Sequence, residues 1–167
     1  MADILTPEQR SAQMSRIRGS DTKLELVVRR ALHARGLRYR LGGAGLPGRP
    51  DLVLPRHKAV VFVHGCFWHG HACPLFRLPK TRPEFWRAKI ESNQRRDERV
   101  LEQLELMGWR ALVVWECSLR GVKEPGRERV FDDLARQVLS GLHGIPGQAR
   151  GADECTQSRK KSPSGRR

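Results

Sequence analysis

The sequence predicts an α/β domain in which helices flank a mixed central sheet. Three observations predict it. Helical and strand periods alternate along the chain, two apolar runs (Ala59–Val63 and Ala111–Trp115) are strand-sized, and Gly/Pro-rich breaks separate them from the helical stretches. At 167 residues with 38% hydrophobic residues, the chain has room for one folded core and a composition unlike that of a disordered protein.

Taken in order, Thr6 can cap a short helix with Pro7 at its first position and Gln9 at the reciprocal capping site, and Met14 and Ile17 lie near its end. Leu24, Val27, Val28, Ala31 and Leu32 then fall at helical spacing behind Asp21-Thr22, and Gly36 is placed to end that helix. Leu37, Tyr39 and Leu41 alternate like a strand. The stretch 42–50 holds four Gly and two Pro, so it is a loop that delivers Asp51 to a short strand, Asp51–Leu54. After a turn over Pro55–Lys58, Ala59–His64 reads as a buried strand, and the two strands suggest a hairpin.

Residues 65–80 have no period but concentrate Cys, His and aromatic residues. Thr81 and Glu84 form a capping-box pair that should open a long helix, with Trp86, Ile90, Val100, Leu101, Leu104 and Met107 on one stripe, Asn93 and Asp97 on that same stripe, and Gly108 as its stop. Arg110–Trp115 is another buried strand, followed directly by Cys117. A last helix uses Val130, Phe131, Leu134, Val138 and Leu142, after which the Gly/Ser/Arg/Lys-rich tail is expected to be disordered. The order is α, α, β, β, β, long α, β, α, with no internal repeat.

Charge narrows the partner. Thirty-two Lys+Arg against 18 Asp+Glu give a formal +14, of which residues 150–167 account for only +4, so the folded part is itself strongly basic. Such an excess favours a polyanion, because binding phosphates releases counterions. The apolar runs are far shorter than the ~20 residues that span a bilayer, which excludes an integral membrane protein as the expected class. Met1-Ala2-Asp3 opens no secretory signal, so a reducing cytoplasm is expected, where Cys66, Cys73 and Cys117 read as metal ligands before disulfides.

Cys66, His71 and Cys73 sit within eight residues, and Cys117 arrives from the end of a distant strand. Zinc takes four N/S ligands in a tetrahedron, and a closed set of this kind is structural, clipping an irregular loop to the sheet. His69 and His64 remain outside the set, free for chemistry.

Hydrolysis of a phosphodiester needs a cation at the phosphate, a carboxylate to hold it and a base for the attacking water. Asp51, entering a strand from a Gly/Pro loop beside Arg49, is the best anchor, although an aspartate there can also serve only its own turn. Glu25 offers a second carboxylate, but Thr22-Lys23-Leu24-Glu25 is itself a capping box, and both roles stay open. His69 suits a general base, its ordinary pKa lying near neutrality. Asp97 could orient it or could instead pair with Arg96 or Arg99.

Four segments carry a resemblance. Leu46-Pro47-Gly48-Arg49-Pro50-Asp51, the run from Val61 through His64-Gly65-Cys66-Phe67-Trp68-His69-Gly70-His71-Ala72-Cys73, Thr81-Arg82-Pro83-Glu84-Phe85-Trp86, and Gly108 through Trp115-Glu116-Cys117 resemble the very-short-patch repair (Vsr) endonucleases, from about Ser11 to Gly121. The resemblance implies a restriction-endonuclease-like fold with a structural zinc site, and a magnesium-dependent nick 5′ to the thymine of a T·G mismatch left by deamination of 5-methylcytosine. It implies magnesium at Asp51 and at the Val63 main-chain carbonyl, His69 as base, and Glu25, His64 and Asp97 in support. Zinc would sit on Cys66, His71, Cys73 and Cys117. Phe67, Trp68 and Trp86 would wedge into the base stack, helped by Met14 and Ile17 from the N-terminal arm.

The expected division is an arm over 1–20, an endonuclease domain over 21–142 and a basic tail over 143–167. The expected setting is a nucleoid-associated monomer in the bacterial cytoplasm, acting on double-stranded DNA and linked to a cytosine-5 methyltransferase and to mismatch-repair proteins. Val63 stands where a threonine is familiar in the family; a main-chain contact to metal survives the change, whereas a hydroxyl role does not. Two other readings share parts of the pattern: a zinc-containing DNA-binding module without catalysis, against which Asp51 and an unligated His69 argue, and a restriction-type or Holliday-type nuclease with another substrate.

Overall fold

In a computed structural model of the chain, the described residues are Gln9, Ala12, 21–43 and 45–140. Gln9 and Ala12 are helical; the rest of the expected N-terminal helix, Met14 and Ile17 included, Leu142 of the expected last helix, and the expected tail lie outside the described residues.

Helix α1 (Lys23–Ala34) begins as its sequence dictates. The Thr22 side chain accepts from the Glu25 N–H and the Glu25 carboxylate accepts from the Thr22 N–H, a complete capping box. It ends at Gly36, whose φ of 79° lets its N–H reach the His33 carbonyl while the Leu37 N–H reaches that of Leu32. Leu37 therefore belongs to the helix stop and is buried beneath it, which is why the strand expected over 37–41 shrinks to β1 (Arg40–Leu41).

Strand β2 (Leu52–Leu54) starts one residue later than expected, leaving Asp51 just ahead of it. A 3₁₀ turn over Pro55–His57 and a left-handed Lys58 lead into β3 (Ala59–His64), antiparallel to β2 with Leu52 opposite Val61. The expected hairpin is present.

Residues 65–82 contain no helix or strand. The long helix α2 (Pro83–Leu106) follows, but the expected capping box does not form: its N-cap is Arg82, in a left-handed conformation and without a side-chain cap. Proline is the reason. A residue before proline disfavours the right-handed helical region, so the helix starts at Pro83 and Glu84 falls one position short of the reciprocal site. Of the expected stripe, Ile90, Asn93 and Leu104 are buried and Val100 and Leu101 partly so, whereas Met107 is the exposed C-cap. Gly108 closes this helix as Gly36 closes α1, with the Trp109 N–H on the Leu104 carbonyl.

Strand β4 (Arg110–Trp115) pairs parallel to β3, Ala59 opposite Arg110 through His64 opposite Trp115. A short helix α3 (Glu116–Leu119), not foreseen in the sequence, carries Cys117, and α4 (Gly126–Ser140) completes the described fold.

The sheet order β1-β2-β3-β4 is mixed, as expected. Alternation along each strand sorts the core into two layers. Leu52, Leu54, Ala59, Val61, Leu112 and Val114 meet α1 and α4 on one face; Val53, Val60, Phe62 and Val113 meet α2 on the other. Both faces being covered explains why β3 and β4 read as continuous apolar runs. Among the described residues no helix is long and apolar enough to cross a membrane.

Candidate active site and metal centre

The end of β3 organises the site, because there the strand outruns the apolar pattern: Val63 and His64 are only half-buried where the preceding four residues are buried. On one flank, Asp51 Oδ2 accepts the Val63 N–H at 2.7 Å. Burial raises the Asp51 carboxyl from 3.8 to about 6; the Val63 N–H opposes that rise and the nearby Glu25 charge adds to it.

Glu25, buried on α1, is committed on several sides: to the helix cap, to the Asp21 N–H at 2.9 Å and to Arg29 Nη2 at 2.9 Å. The capping role left open by the sequence is therefore filled, and the same carboxylate also acts electrostatically on Asp51. Arg29, which neutralises it and draws the Asp51 value down, was not singled out from the sequence; as one arginine on a basic helix it gave no signal.

On the other flank the His64 and His69 rings stack at 3.7 Å between centroids with their planes 5° apart. His69 Nδ1 lies 2.5 Å from Asp97 Oδ2, which settles Asp97 on the imidazole and not on Arg96 or Arg99. Burial, with the His69 charge as the next cause, pushes His64 down from 6.5 to about 4, so it is neutral near pH 7. An imidazole anchored through Nδ1 to a carboxylate presents its other nitrogen to accept a proton, and the carboxylate steadies the cation that results.

Beside this lies the second cluster. One ligand atom each from Cys66, His71, Cys73 and Cys117 lies within 4.8 Å of the others. His71 Nδ1 is 3.6 Å from Cys66 Sγ and 3.4 Å from Cys117 Sγ. A tetrahedral ion with bonds of about 2.3 Å to sulfur and about 2.0 Å to nitrogen would set such edges at about 3.5 Å, so the donors fit zinc in both chemistry and spacing. Burial pushes the Cys66 thiol up to about 12, and a bound cation, which favours the thiolate, would act against that rise. Glu116 Oε2 accepts the Cys66 N–H at 3.3 Å, tying the loop to α3.

Trp115 joins the two clusters. Its ring stacks on His71 at 4.1 Å and meets His64 edge-on at 5.4 Å. In the sequence it closes an apolar strand and reads as core; only the parallel pairing that sets it opposite His64 reveals its place.

Phe67, Trp68 and Trp86 come together from the loop and α2. Phe67 lies 5.2 Å from Trp68 and 5.3 Å from Trp86, centroid to centroid, and all three are half-buried. Trp86, expected on the apolar stripe of α2, belongs to this partly exposed cluster instead.

A sequence model described as DNA mismatch endonuclease Vsr matches residues 2–75. The chain is 43% identical over 157 residues to the DNA mismatch endonuclease Vsr of Escherichia coli, covering 94% of this chain and 96% of that protein. It is 49% identical over 119 residues to the type II nicking enzyme V.XorIIP of Xanthomonas oryzae pv. oryzae, with 71% and 88% covered. With the type II nicking enzyme V.NmeAIP of Neisseria meningitidis serogroup A it shares 43% over 138 residues, with 83% and 97% covered. A basic α/β chain with a carboxylate-and-histidine centre at a strand end, similar throughout to such enzymes, is a DNA endonuclease. It belongs to the Vsr family of DNA mismatch endonucleases.

Proposed function

We propose that this endonuclease nicks one strand of duplex DNA 5′ to the thymine of a T·G mismatch, the lesion left when 5-methylcytosine deaminates, and so begins very-short-patch repair. The observation that carries the reading is the His69–Asp97 pair, stacked on His64 at the end of the strand whose Val63 N–H anchors Asp51. In this reading the fold is restriction-endonuclease-like, with 21–142 as the nuclease domain, 1–20 as an arm bringing Met14 and Ile17 to the DNA, and 143–167 as a basic tail. The enzyme works as a monomer and is linked to a cytosine-5 methyltransferase and to mismatch-repair proteins.

Asp51 and the Val63 carbonyl would hold magnesium, which supplies neutralisation of the phosphate's developing charge. Their placement supports this: the N–H and C=O of one strand residue leave by the same edge, so the Val63 carbonyl faces the side on which Asp51 accepts its N–H. A main-chain ligand is indifferent to the Val63 side chain. His69, its Nδ1 side occupied by Asp97, takes the water's proton on Nε2 as the oxygen attacks phosphorus. The bond from phosphorus to the 3′-oxygen of the preceding nucleotide breaks, that oxygen taking up a proton from solvent to leave a 3′-hydroxyl. Neutral His64 holds the ring in plane, and Glu25 with Arg29 sets the charge behind Asp51. Zinc on Cys66, His71, Cys73 and Cys117 would be structural, since every position is taken by protein. Phe67, Trp68 and Trp86 would replace lost base stacking beside the mismatch, where unstacking costs least.

The test is strand-specific nicking of T·G and matched duplexes with magnesium. His69→Ala should cut about 10²–10⁴-fold more slowly while still binding the mismatch. Unchanged cutting, or equal cutting of matched DNA, would overturn the reading.

A further inference from the structure

The loop that carries His69 is held to α2 by side-chain amides that neither the proposed chemistry nor the metal centre uses. Asn93 Nδ2 donates to the Trp68 carbonyl at 2.8 Å. Gln94 Nε2 donates to the carbonyls of His69, at 3.3 Å, and Gly70, at 3.4 Å. Three successive carbonyls of an irregular segment thus end on one helix. Gln94 stands three residues before Asp97, and residues so spaced are neighbours on a helix surface. His69 is therefore gripped twice by one rigid element, through its main chain by Gln94 and through its ring by Asp97.

Gly70 belongs to the same device. At φ +60° a Cβ there would stand 2.6 Å from Gln94 Nε2 and 2.6 Å from Ile90 Cγ2, so only glycine lets the amide reach the two carbonyls.

A proton acceptor works only when held close to its productive geometry, and a misplacement of about 1 Å can cost about 10²-fold in rate. The Asp97 bond and the His64 ring fix the direction of the imidazole, and an attachment at the backbone fixes the point from which that side chain extends. We propose that Gln94 is a positioning residue for strand cutting: its carboxamide fixes the main chain at 69–70 so that the imidazole stays against Asp97 with its other nitrogen aimed at the water. The proposal rests on the reading of His69 as the base.

The test uses the full-length, zinc-loaded enzyme on a T·G duplex. Gln94→Glu keeps the shape but removes both donors, Gln94→Leu removes them without adding charge, and Gln94→Lys restores a donor. The Glu and Leu variants should cut about 10–100-fold more slowly in single turnover, with duplex affinity measured without magnesium changed by less than about 2-fold and zinc content unchanged. The Lys variant should recover to within about 3-fold of the parent rate, and adding Asp97→Asn to Gln94→Leu should cost less than the two separate losses multiplied together. Parent-like cutting by the Glu and Leu variants, losses that follow zinc release, or failure of the Lys variant to recover would each overturn the proposal. His69→Ala separates the two levels: if it cuts normally the base assignment itself fails, whereas if it is inactive and the Gln94 variants are normal only the positioning role fails.

Discussion

Replacing Asp51 by Asn should stabilise the magnesium-free protein at neutral pH while removing its activity. The structure holds this carboxyl half-buried, with Glu25 behind it, and raises it from 3.8 to about 6. A folded state that raises an acid's pKa binds the proton more tightly than the unfolded chain. The associated stability is thus complete below 3.8 and is lost as pH climbs to about 6. At ~1.4 kcal/mol per unit the upper limit is ~3 kcal/mol, and solvent reaching the carboxylate reduces it to ~1–2 kcal/mol. Asparagine keeps the shape and an oxygen to accept the Val63 N–H, but has no charge to bury. In thermal unfolding of zinc-loaded protein without magnesium, the variant should melt ~3–6 °C above the parent at about pH 7.5. The gain should shrink to less than half by about pH 4.5. Cutting should fall by at least ~10³-fold, the equivalent of ~4 kcal/mol of lost charge stabilisation. A variant less stable than the parent at neutral pH, or a gain independent of pH, would refute the argument that Asp51 is a carboxylate held ready for a cation.

Three further outcomes follow from the same geometry. Cys117→Ser should lose zinc, read by metal analysis, and melt lower, because the clip between the 66–73 loop and α3 is gone; retained zinc would count against the four-ligand centre. Gly70→Ala should cost ~1–3 kcal/mol in denaturant unfolding, since its methyl would collide with Ile90 and Gln94. Arg29→Met should destabilise by ~3 kcal/mol by leaving buried Glu25 without its cation, and adding Glu25→Gln should recover part of that loss.

Much of this molecule is legible along the chain because the signals are local. Thr22 and Glu25 cap α1 through bonds spanning three residues, Gly36 and Gly108 end helices where only glycine takes a positive φ cheaply, and the apolar runs of β3 and β4 announce strands covered on both faces. The Cys/His loop is equally plain, since three soft ligands in eight residues have few other uses. Where two local rules competed, the sequence misled: Thr81 and Glu84 spelled a capping box, but Pro83 moved the helix start past it.

What the sequence could not settle is which neighbours a side chain meets across distances in the chain. Asp97 had arginines beside it in sequence, yet it faces His69, 28 residues away, because α2 returns over the loop after β3. Trp115 looked like core until the parallel register set it against His64 and His71. Arg29, Gln94 and Glu116 carried no pattern at all, for a lone polar residue on a helix has the same local signature whether it faces water or holds a buried carbonyl. The amino-acid order by itself determined most of the elements, the Cys/His set that could hold a metal ion and the chemistry-bearing residue types, all of which depend on short-range sterics and composition. Only the tertiary structure decided their pairing, because the energy of a buried charge or hydrogen bond is set by what the fold brings to within about 3 Å of it.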